Sequence, residues 1–322
     1  MVADREVISQ IQREEWELLL QNAPLAHYFQ SPDYYCFLQQ QEFLKPFLWG
    51  VRRDGLLRAL VCGYVQADGG CVMRYFTRRA IILGGVLPGL DCNAEDLTFL
   101  MKHVVETLRH SVIYVEVRNF ADYSTWKQPM QTAGFDYVPH YDAHVDATNV
   151  ENMLQRMNKR RQRQIRAEQR KGHRWYESDN PDEFASFYAH LKGMYKNKIR
   201  RPLLPLSVLH KAWTSPCAHL VITRQGNELT GGVLCFKWGG VCYAWYEWGG
   251  MYTTWASMEW ASQQGCHLFD FMGAGEPNRE YGVRDFKCSM GGELKEFGRF
   301  RYVSQPYLYA LGRYFVTRSY KR

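Results

Sequence analysis

The chain has 322 residues, 46% of them hydrophobic and 15% aromatic, which is ample for a packed interior and long for a single core. Its net charge is +7, and no apolar run approaches the ~20 residues of a membrane helix, so a disordered or membrane-spanning chain is excluded. The longest apolar run, residues 80–88, is broken by Gly84, Gly85 and Pro88. The first six residues lack a basic-then-apolar signal, and a cytoplasmic location is expected. Nine cysteines are scattered without a Cys-x-x-Cys pair, which suits packing thiols in a reducing compartment. Cys288 could act as a nucleophile, but no His or Asn partner can be assigned to it.

In chain order, helices are predicted over 14–21 and from Ser31-Pro32-Asp33, with Pro32 at the first helical position. A meander follows over 50–64 and 69–76, read as strand, turn, strand, turn, strand. Asn93 caps a helix over 94–110, and an apolar strand (112–117) and a Gly-led strand (134–138) come next. His140, Asp142, His144 and Asp146 alternate along a strand-like segment. Donors four residues apart on a strand lie ~13 Å from each other, so a polar strand face is expected there and no metal site. A boundary near 146–149 gives domains 1–147 and 148–322.

The second domain opens with Thr148-Asn149-Val150-Glu151, read as a capping box, and one basic helix is predicted from there to Lys171-Gly172. Nine Lys or Arg and a single acid, Glu168, lie between Arg156 and Arg174. Either this is a solvated face, or Arg160, Arg161, Arg163 and Arg166 contact nucleic acid, phosphates or an anionic membrane surface. Aromatic residues do not interleave with the basic ones, which argues against a stacking platform for single strands. Asn180-Pro181-Asp182-Glu183 starts another helix. A second meander (221–236 and 239–246), a helix (253–264) and a short strand, Leu268-Phe269-Asp270-Phe271, repeat the order of the first half at a spacing of roughly 170 residues. That strand leads into a Gly-bracketed loop carrying Asp270, Glu276, Arg284, Asp285 and Lys287. A Gly-led strand (292–297) and an aromatic, basic helix (307–320) end the chain. The fold class is α+β: two similar domains with mixed sheets.

The chain resembles the Fem family of peptidoglycan aminoacyltransferases, which have two tandem acetyltransferase-like (GNAT) domains. The resemblance rests on the basic helix Lys159-Arg160-Arg161-Gln162-Arg163-Gln164-Ile165-Arg166-Ala167, the helix end Ala261-Ser262-Gln263-Gln264-Gly265, the strand Phe269-Asp270-Phe271, and Phe286-Lys287 followed by Gly291-Gly292. Gln30-Ser31-Pro32 ahead of the first meander also fits. The resemblance implies transfer of an amino acid from aminoacyl-tRNA to an amine of a nucleotide- or lipid-linked muropeptide, without a permanently bound cofactor. It places Lys287 in the substrate channel, beside Phe286 and Arg284. It also implies that basic and tyrosine side chains, here Lys198, Arg201, Tyr243 or Tyr246, face a substrate diphosphate. The coiled-coil arm of some members is absent.

The residues suit that chemistry in their own right. Acyl transfer to an amine needs an oxyanion stabiliser, here Lys287 or N–H groups around Gly273, and a proton acceptor, here Asp270 or Asp285. Asp270 could instead pair structurally with Arg284 or Lys287, and Lys287 could be a plain surface lysine. An acyl-CoA N-acyltransferase acting on a sugar, lipid or peptide amine is an alternative, weakened by the lack of a convincing Gln/Arg-x-x-Gly-x-Gly/Ala loop. A non-catalytic polyanion-binding module is another.

Overall fold

The computed structural model describes residues 4–199 and 203–319. Packing divides the chain into two units, Met1–His140 with Glu296–Arg322, and Tyr141–Lys295.

The first unit begins with β1 (Arg5–Ile8), α1 (Arg13–Asn22) and α2 (Pro32–Gln39). Ser31 caps α2 by accepting the Tyr34 N–H at 3.1 Å, and Pro32 sits where a helix needs no N–H. β2 (Leu44–Arg53) and β3 (Leu56–Gln66) form a hairpin whose turn residues Asp54 and Gly55 both have positive φ, as a tight twisted turn requires. Then come α3 (Cys71–Thr77), β4 (Arg79–Gly84), β5 (Leu87–Pro88), α4 (Ala94–Leu108), β6 (Tyr114–Asn119), α5 (Lys127–Thr132) and β7 (Asp136–Val138).

The second unit runs through β8 (Tyr141–Asp146), α6 (Val150–Arg156), α7 (Lys159–Arg170), β9 (His173–Ser178) and α8 (Pro181–Met194). A π-helical turn, Tyr195–Ile199, extends α8. After it come α9 (Leu206–Trp213), β10 (Ala218–Gln225), β11 (Glu228–Trp238), β12 (Val241–Trp248), α10 (Met251–Gln263), β13 (Leu268–Gly275), α11 (Gly282–Ser289) and β14 (Glu293–Glu296). The chain then returns to the first unit with β15 (Arg299–Val303) and α12 (Pro306–Ser319).

The duplication is visible in the sheets. One has the order β1-β2-β3-β4-β6-β15-β7, with β5 paired to β3; the other is β9-β10-β11-β12-β13-β8-β14. Each is mixed and contains a parallel pair, β4 with β6 and β12 with β13. The sixth strand of each sheet comes from the opposite part of the sequence: β8 pairs with β13, and β15 pairs with β6 and β7. The division at 140/141 and 295/296 thus differs from the expected 1–147 and 148–322. Ladder hydrogen bonds hold β8 in the second sheet and β15 in the first, so the closing helix α12 belongs to the first unit.

Four local expectations are corrected. Residues 69–76 do not form the third strand of the first meander; residues 71–77 are helical, and β4 takes the strand position, pairing Tyr64 with Ile81. Ala80, Ile81 and Ile82 are fully buried there, whereas Met73, Tyr75 and Phe76 are exposed, so burial selects the later segment. The basic stretch is two helices, because Met157 is extended (ψ 154°) and Asn158 caps anew, accepting the Arg161 N–H at 3.0 Å. The cap of α6 is Asn149, not Thr148. Residues 282–289 are a helix rather than loop.

In the second unit α10 is buried all round by Tyr252, Trp255, Met258 and Trp260, as expected of a helix enclosed by the core. In the first unit Glu116 on β6 is buried and binds Arg118 (2.8 Å) and, from β15, Arg299 (3.1 Å) and Arg301 (2.6 Å). Burial alone would push the Glu116 carboxyl up, but the three guanidinium groups override it and hold it well below the usual carboxylate range. A depressed carboxyl stabilises the fold above its unfolded pKa of ~4.3, and that gain is lost as pH falls toward the folded value. Glu116→Gln is expected to cost about 2 kcal/mol at neutral pH. It should also flatten the acid-induced loss below about pH 4.3, read from thermal melts at several pH values.

Candidate active site

The parallel pair of the second sheet comes apart. β12 and β13 pair only through Val241 with Leu268, Cys242 with Phe269, and Tyr243 with Asp270. Beyond Tyr243, β12 continues to Trp248 against β11, and beyond Asp270, β13 continues to Gly275 against β8. The register between β11 and β12 shifts at Cys235 and Leu234, opposite Ala244 and Tyr246, so Trp245 is a bulged residue outside that ladder. The facing strand edges thus open from residue 244 on one side and 271 on the other.

The first sheet lacks this opening. β4 and β6 stay paired through five positions, from Ala80 with Val115 to Gly84 with Asn119. The Gly84 carbonyl at the end of that seam accepts His27 Nε2 (2.7 Å), Tyr123 OH (3.0 Å) and Gln30 Nε2 (3.3 Å). Gly84 has φ +80°, and a Cβ there would lie 1.5 Å from the His27 ring, so only glycine fits. Chemistry based on parted strands therefore belongs to the second unit.

β13 parts from β12 through a local break. Met272 has φ +60°, which is uncommon for a side-chain-bearing residue, and the β8 register shifts on both sides of Gly273. Two side chains fasten the break. Asp270 Oδ1 accepts the Met272 N–H at 2.5 Å. Lys287, on α11, donates from Nζ to the carbonyls of Phe271 (2.7 Å), Gly273 (2.9 Å) and Met272 (3.3 Å). The αL cost at this site is of order 1 kcal/mol. Met272→Gly is therefore expected to leave the melting temperature unchanged or slightly raised, and Met272→Val to lower it.

Three carboxylates act on the Lys287 ammonium. Burial pushes its pKa down, and Asp270, Asp142 and Glu247 pull it back up. Asp270 and Asp142 are 1% and 4% exposed. Glu247, half-buried on the open part of β12, accepts the Thr254 hydroxyl from the first turns of α10, and burial pushes its carboxyl above the usual range. His144 Nε2 lies 3.5 Å from Asp270 Oδ2.

The remaining candidates fall into three places. Arg284 does not pair with Asp270; it donates to the carbonyls of Glu276 (2.7 Å) and Arg279 and so closes the 276–284 loop. Asp285 is exposed on the first turn of α11, outside the acid cluster, while Phe286 packs on the core with Arg161 above its ring at 5.1 Å. Burial first, and Asp285 second, raise the Cys288 thiol, which weakens it as a nucleophile. Tyr243 is buried, and burial followed by the charge of Asp270 pushes its phenol up. Tyr246 packs against Trp245 (4.7 Å) and Tyr195 (6.0 Å) in the cluster under α8. Lys198 is exposed on the π-helical turn, and Arg201 lies outside the described residues. On α7, Arg160, Arg163 and Arg166 are exposed, whereas Arg161 is half-buried and donates to Ser289 Oγ at 3.0 Å. Among the described residues no group of three or more His, Cys, Asp or Glu is arranged to hold a metal ion.

Glu247, Asp142 and Thr254 are site residues that sequence reasoning missed. Glu247 left one signal, as a lone acid in the aromatic run Trp245-Tyr246-Glu247-Trp248.

A seam that opens beside a bulge, with acids and a buried lysine at its base, is what an acyltransferase needs to hold an acyl group and deprotonate an amine. The family described as acetyltransferase (GNAT) domain matches residues 155–287, within the second unit. The protein is an acyltransferase built on two mixed-sheet GNAT-like units. Its tandem arrangement is the Fem-like one. The crystal structure of FemX superposes with a TM-score of 0.72 at 13% identity, covering 95% of this chain and 99% of that one. The tandem GNAT protein of the clavulanic acid biosynthesis pathway gives 0.60 at 12% identity, covering 94% and 99%. L-PGS from Bacillus licheniformis gives 0.58 at 13% identity, covering 91% and 92%. No curated protein matches the sequence.

Proposed function

We propose that this protein transfers an aminoacyl group from aminoacyl-tRNA to an amine of a peptidoglycan precursor peptide. The observation that carries the reading is the opening between β12 and β13 with Glu247 on its wall. The acceptor amine arrives protonated and must lose a proton before it attacks the ester carbonyl. Glu247 takes that proton; burial makes its carboxylate a better base than an ordinary one. The new bond joins the amine nitrogen to the acyl carbon, the bond to the tRNA ribose oxygen breaks, and the proton that the nitrogen loses on becoming an amide passes to that oxygen, which leaves as the ribose hydroxyl. Backbone N–H groups at the Trp245 bulge and around Gly273 are the candidates for holding the developing oxyanion. Lys287 keeps residues 271–273 in place for that work.

Two features support tRNA over acyl-CoA as donor. Glu247 places a carboxylate at the first turns of α10, where a CoA diphosphate would need positive charge. The exposed Arg160, Arg163 and Arg166 offer a phosphate-binding face on α7. FemX and L-PGS share the fold. A muropeptide linked to a nucleotide or a lipid is the acceptor in this reading.

The test incubates the protein with radiolabelled aminoacyl-tRNAs and a panel of muropeptide precursors, beside a parallel set of acyl-CoAs. Label reaching a precursor from tRNA, with a rate that falls steeply with salt and with Arg160→Glu/Arg163→Glu/Arg166→Glu, is the expected result. Transfer from acyl-CoA alone would overturn the proposal.

A further inference from the structure

One row of side chains crosses the first sheet on the face turned away from α4. The registers set Tyr64 beside Ile81, Ile81 beside Glu116, and Glu116 beside Arg301. Their neighbours Ala80, Val115, Val117 and Phe300 pack into the core with α4, so strand alternation puts this row and Arg118 on the other side.

Glu116 does not use up the donors around it. Arg118 commits only Nε to Glu116 (2.8 Å), and among the described residues no group accepts from its Nη1 or Nη2. The Arg118 side chain is 35% exposed, against 5% for Glu116, so the unused edge of the fork faces solvent. Arg301 donates Nη2 to Glu116 (2.6 Å) and Nη1 to the Tyr309 hydroxyl (2.7 Å), and its Nε is buried without a partner. A buried N–H with no acceptor is uncommon in a native fold and points to a water or an ion. Arg118 and Arg301 set against Glu116 leave one positive charge, and among the described residues no second acid pairs with either arginine. Tyr64 adds a neutral hydroxyl. Burial raises its phenol above the usual range, and Arg118 is the strongest of the groups that pull it back. Among the described residues nothing hydrogen-bonds that hydroxyl.

These donors select the guest. A planar fork with two unused nitrogens matches two oxygens of one oxyanion. A carboxylate is satisfied by the fork alone. Tyr64 stands on β3, two strands and ~10 Å across the sheet from Arg118 on β6, so its hydroxyl comes from another direction. A tetrahedral phosphate has further oxygens to meet it, and a planar carboxylate does not.

We propose that Arg118 and Tyr64, backed by the Arg301–Glu116 pair, bind the phosphate group of a small molecule. The site belongs to the first unit and the opening between β12 and β13 to the second, so its test uses neither acyl donor nor acceptor.

The full chain would be titrated calorimetrically, at constant ionic strength, with inorganic phosphate, a nucleoside 5′-monophosphate, a short-chain phosphatidic acid below its micellar concentration, and acetate. Saturable binding of phosphate is expected, tighter than that of acetate. Arg118→Gln should weaken it about 10-fold or more, and Tyr64→Phe, which keeps the ring, about 2- to 10-fold. Tighter binding of one organic phosphate than of the inorganic ion identifies the kind of molecule that carries the group. The α7 variant Arg160→Glu/Arg163→Glu/Arg166→Glu should bind phosphate as the wild type does. A measurement on the wild type stands beside the variants: phosphate should slow the modification of Arg118 by phenylglyoxal, read by mass spectrometry of its peptide. No saturable binding of any phosphate, acetate binding as tight as phosphate, unchanged binding in Arg118→Gln, loss in the α7 variant, or modification of Arg118 at the same rate with and without phosphate overturns the proposal.

Discussion

With Lys287 replaced by alanine, turnover is expected to fall about 10²- to 10³-fold, with a clear loss of stability. The ammonium holds the carbonyls of Phe271, Met272 and Gly273 at the point where β13 leaves β12. Removing it orphans three acceptors around a left-handed Met272. At ~1–3 kcal/mol for a fully buried orphan, and with water able to reach the half-buried Met272 and Gly273, the total is about 3 kcal/mol. It also leaves Asp270 and Asp142 without the cation that offsets them. Lys287→Arg should not rescue, because a planar guanidinium cannot reach three successive carbonyls as a compact ammonium does. The measurement pairs steady-state kinetics with thermal melts. A positioning role predicts that kcat falls and KM rises together; a kcat loss with intact stability would make Lys287 a direct participant instead.

The second large effect is expected at Glu247. Glu247→Gln keeps the shape and the Thr254 contact but removes the proton acceptor, and transfer should fall about 10²- to 10⁴-fold. Stability should move the other way. A carboxyl raised by burial contributes stability below its unfolded pKa of ~4.3 that is lost as pH rises through the folded value, so at neutral pH the charged group is a cost. The glutamine variant should therefore melt at the same temperature or a few degrees higher, the trade of stability for activity seen at working sites. In the wild type, activity should rise with pH through an apparent pKa above the ordinary carboxylate range, and the variant should lose that limb. Unchanged turnover in Glu247→Gln would hand the proton to Asp270.

Much of this architecture is legible in the chain. The helix caps at Ser31, Asn93 and Asn180, the second meander and the helix–strand step into Asp270 all stand where local chemistry put them. What was not legible depends on long-range choice. Residues 71–76 alternate like a strand, yet β3 pairs with the better-buried segment eight residues later. Asn158 looks like one more polar residue in a basic run until its side chain caps α7. The site splits in the same way. Lys287 and Asp270 were visible as charged residues beside glycine. Glu247 and Asp142 become partners of Lys287 only when β12 and β8 flank β13, and no spacing in the sequence announces that. Asp285 shares α11 with Lys287 but faces elsewhere, since residues two apart on a helix do not share a face, and Arg284, one turn before Lys287, is engaged by the Glu276 and Arg279 carbonyls instead.

The exchange of the sixth strands also sets the order of events during synthesis. β6 leaves the ribosome early, but its neighbour β15 ends at Val303, so the first sheet waits for almost the entire chain with one side of β6 unpaired. Such an edge is open to wrong partners until β15 arrives. The second sheet has no such wait, because β8 is made before the strands it joins. Folding is therefore expected to finish in the part of the protein that was made first.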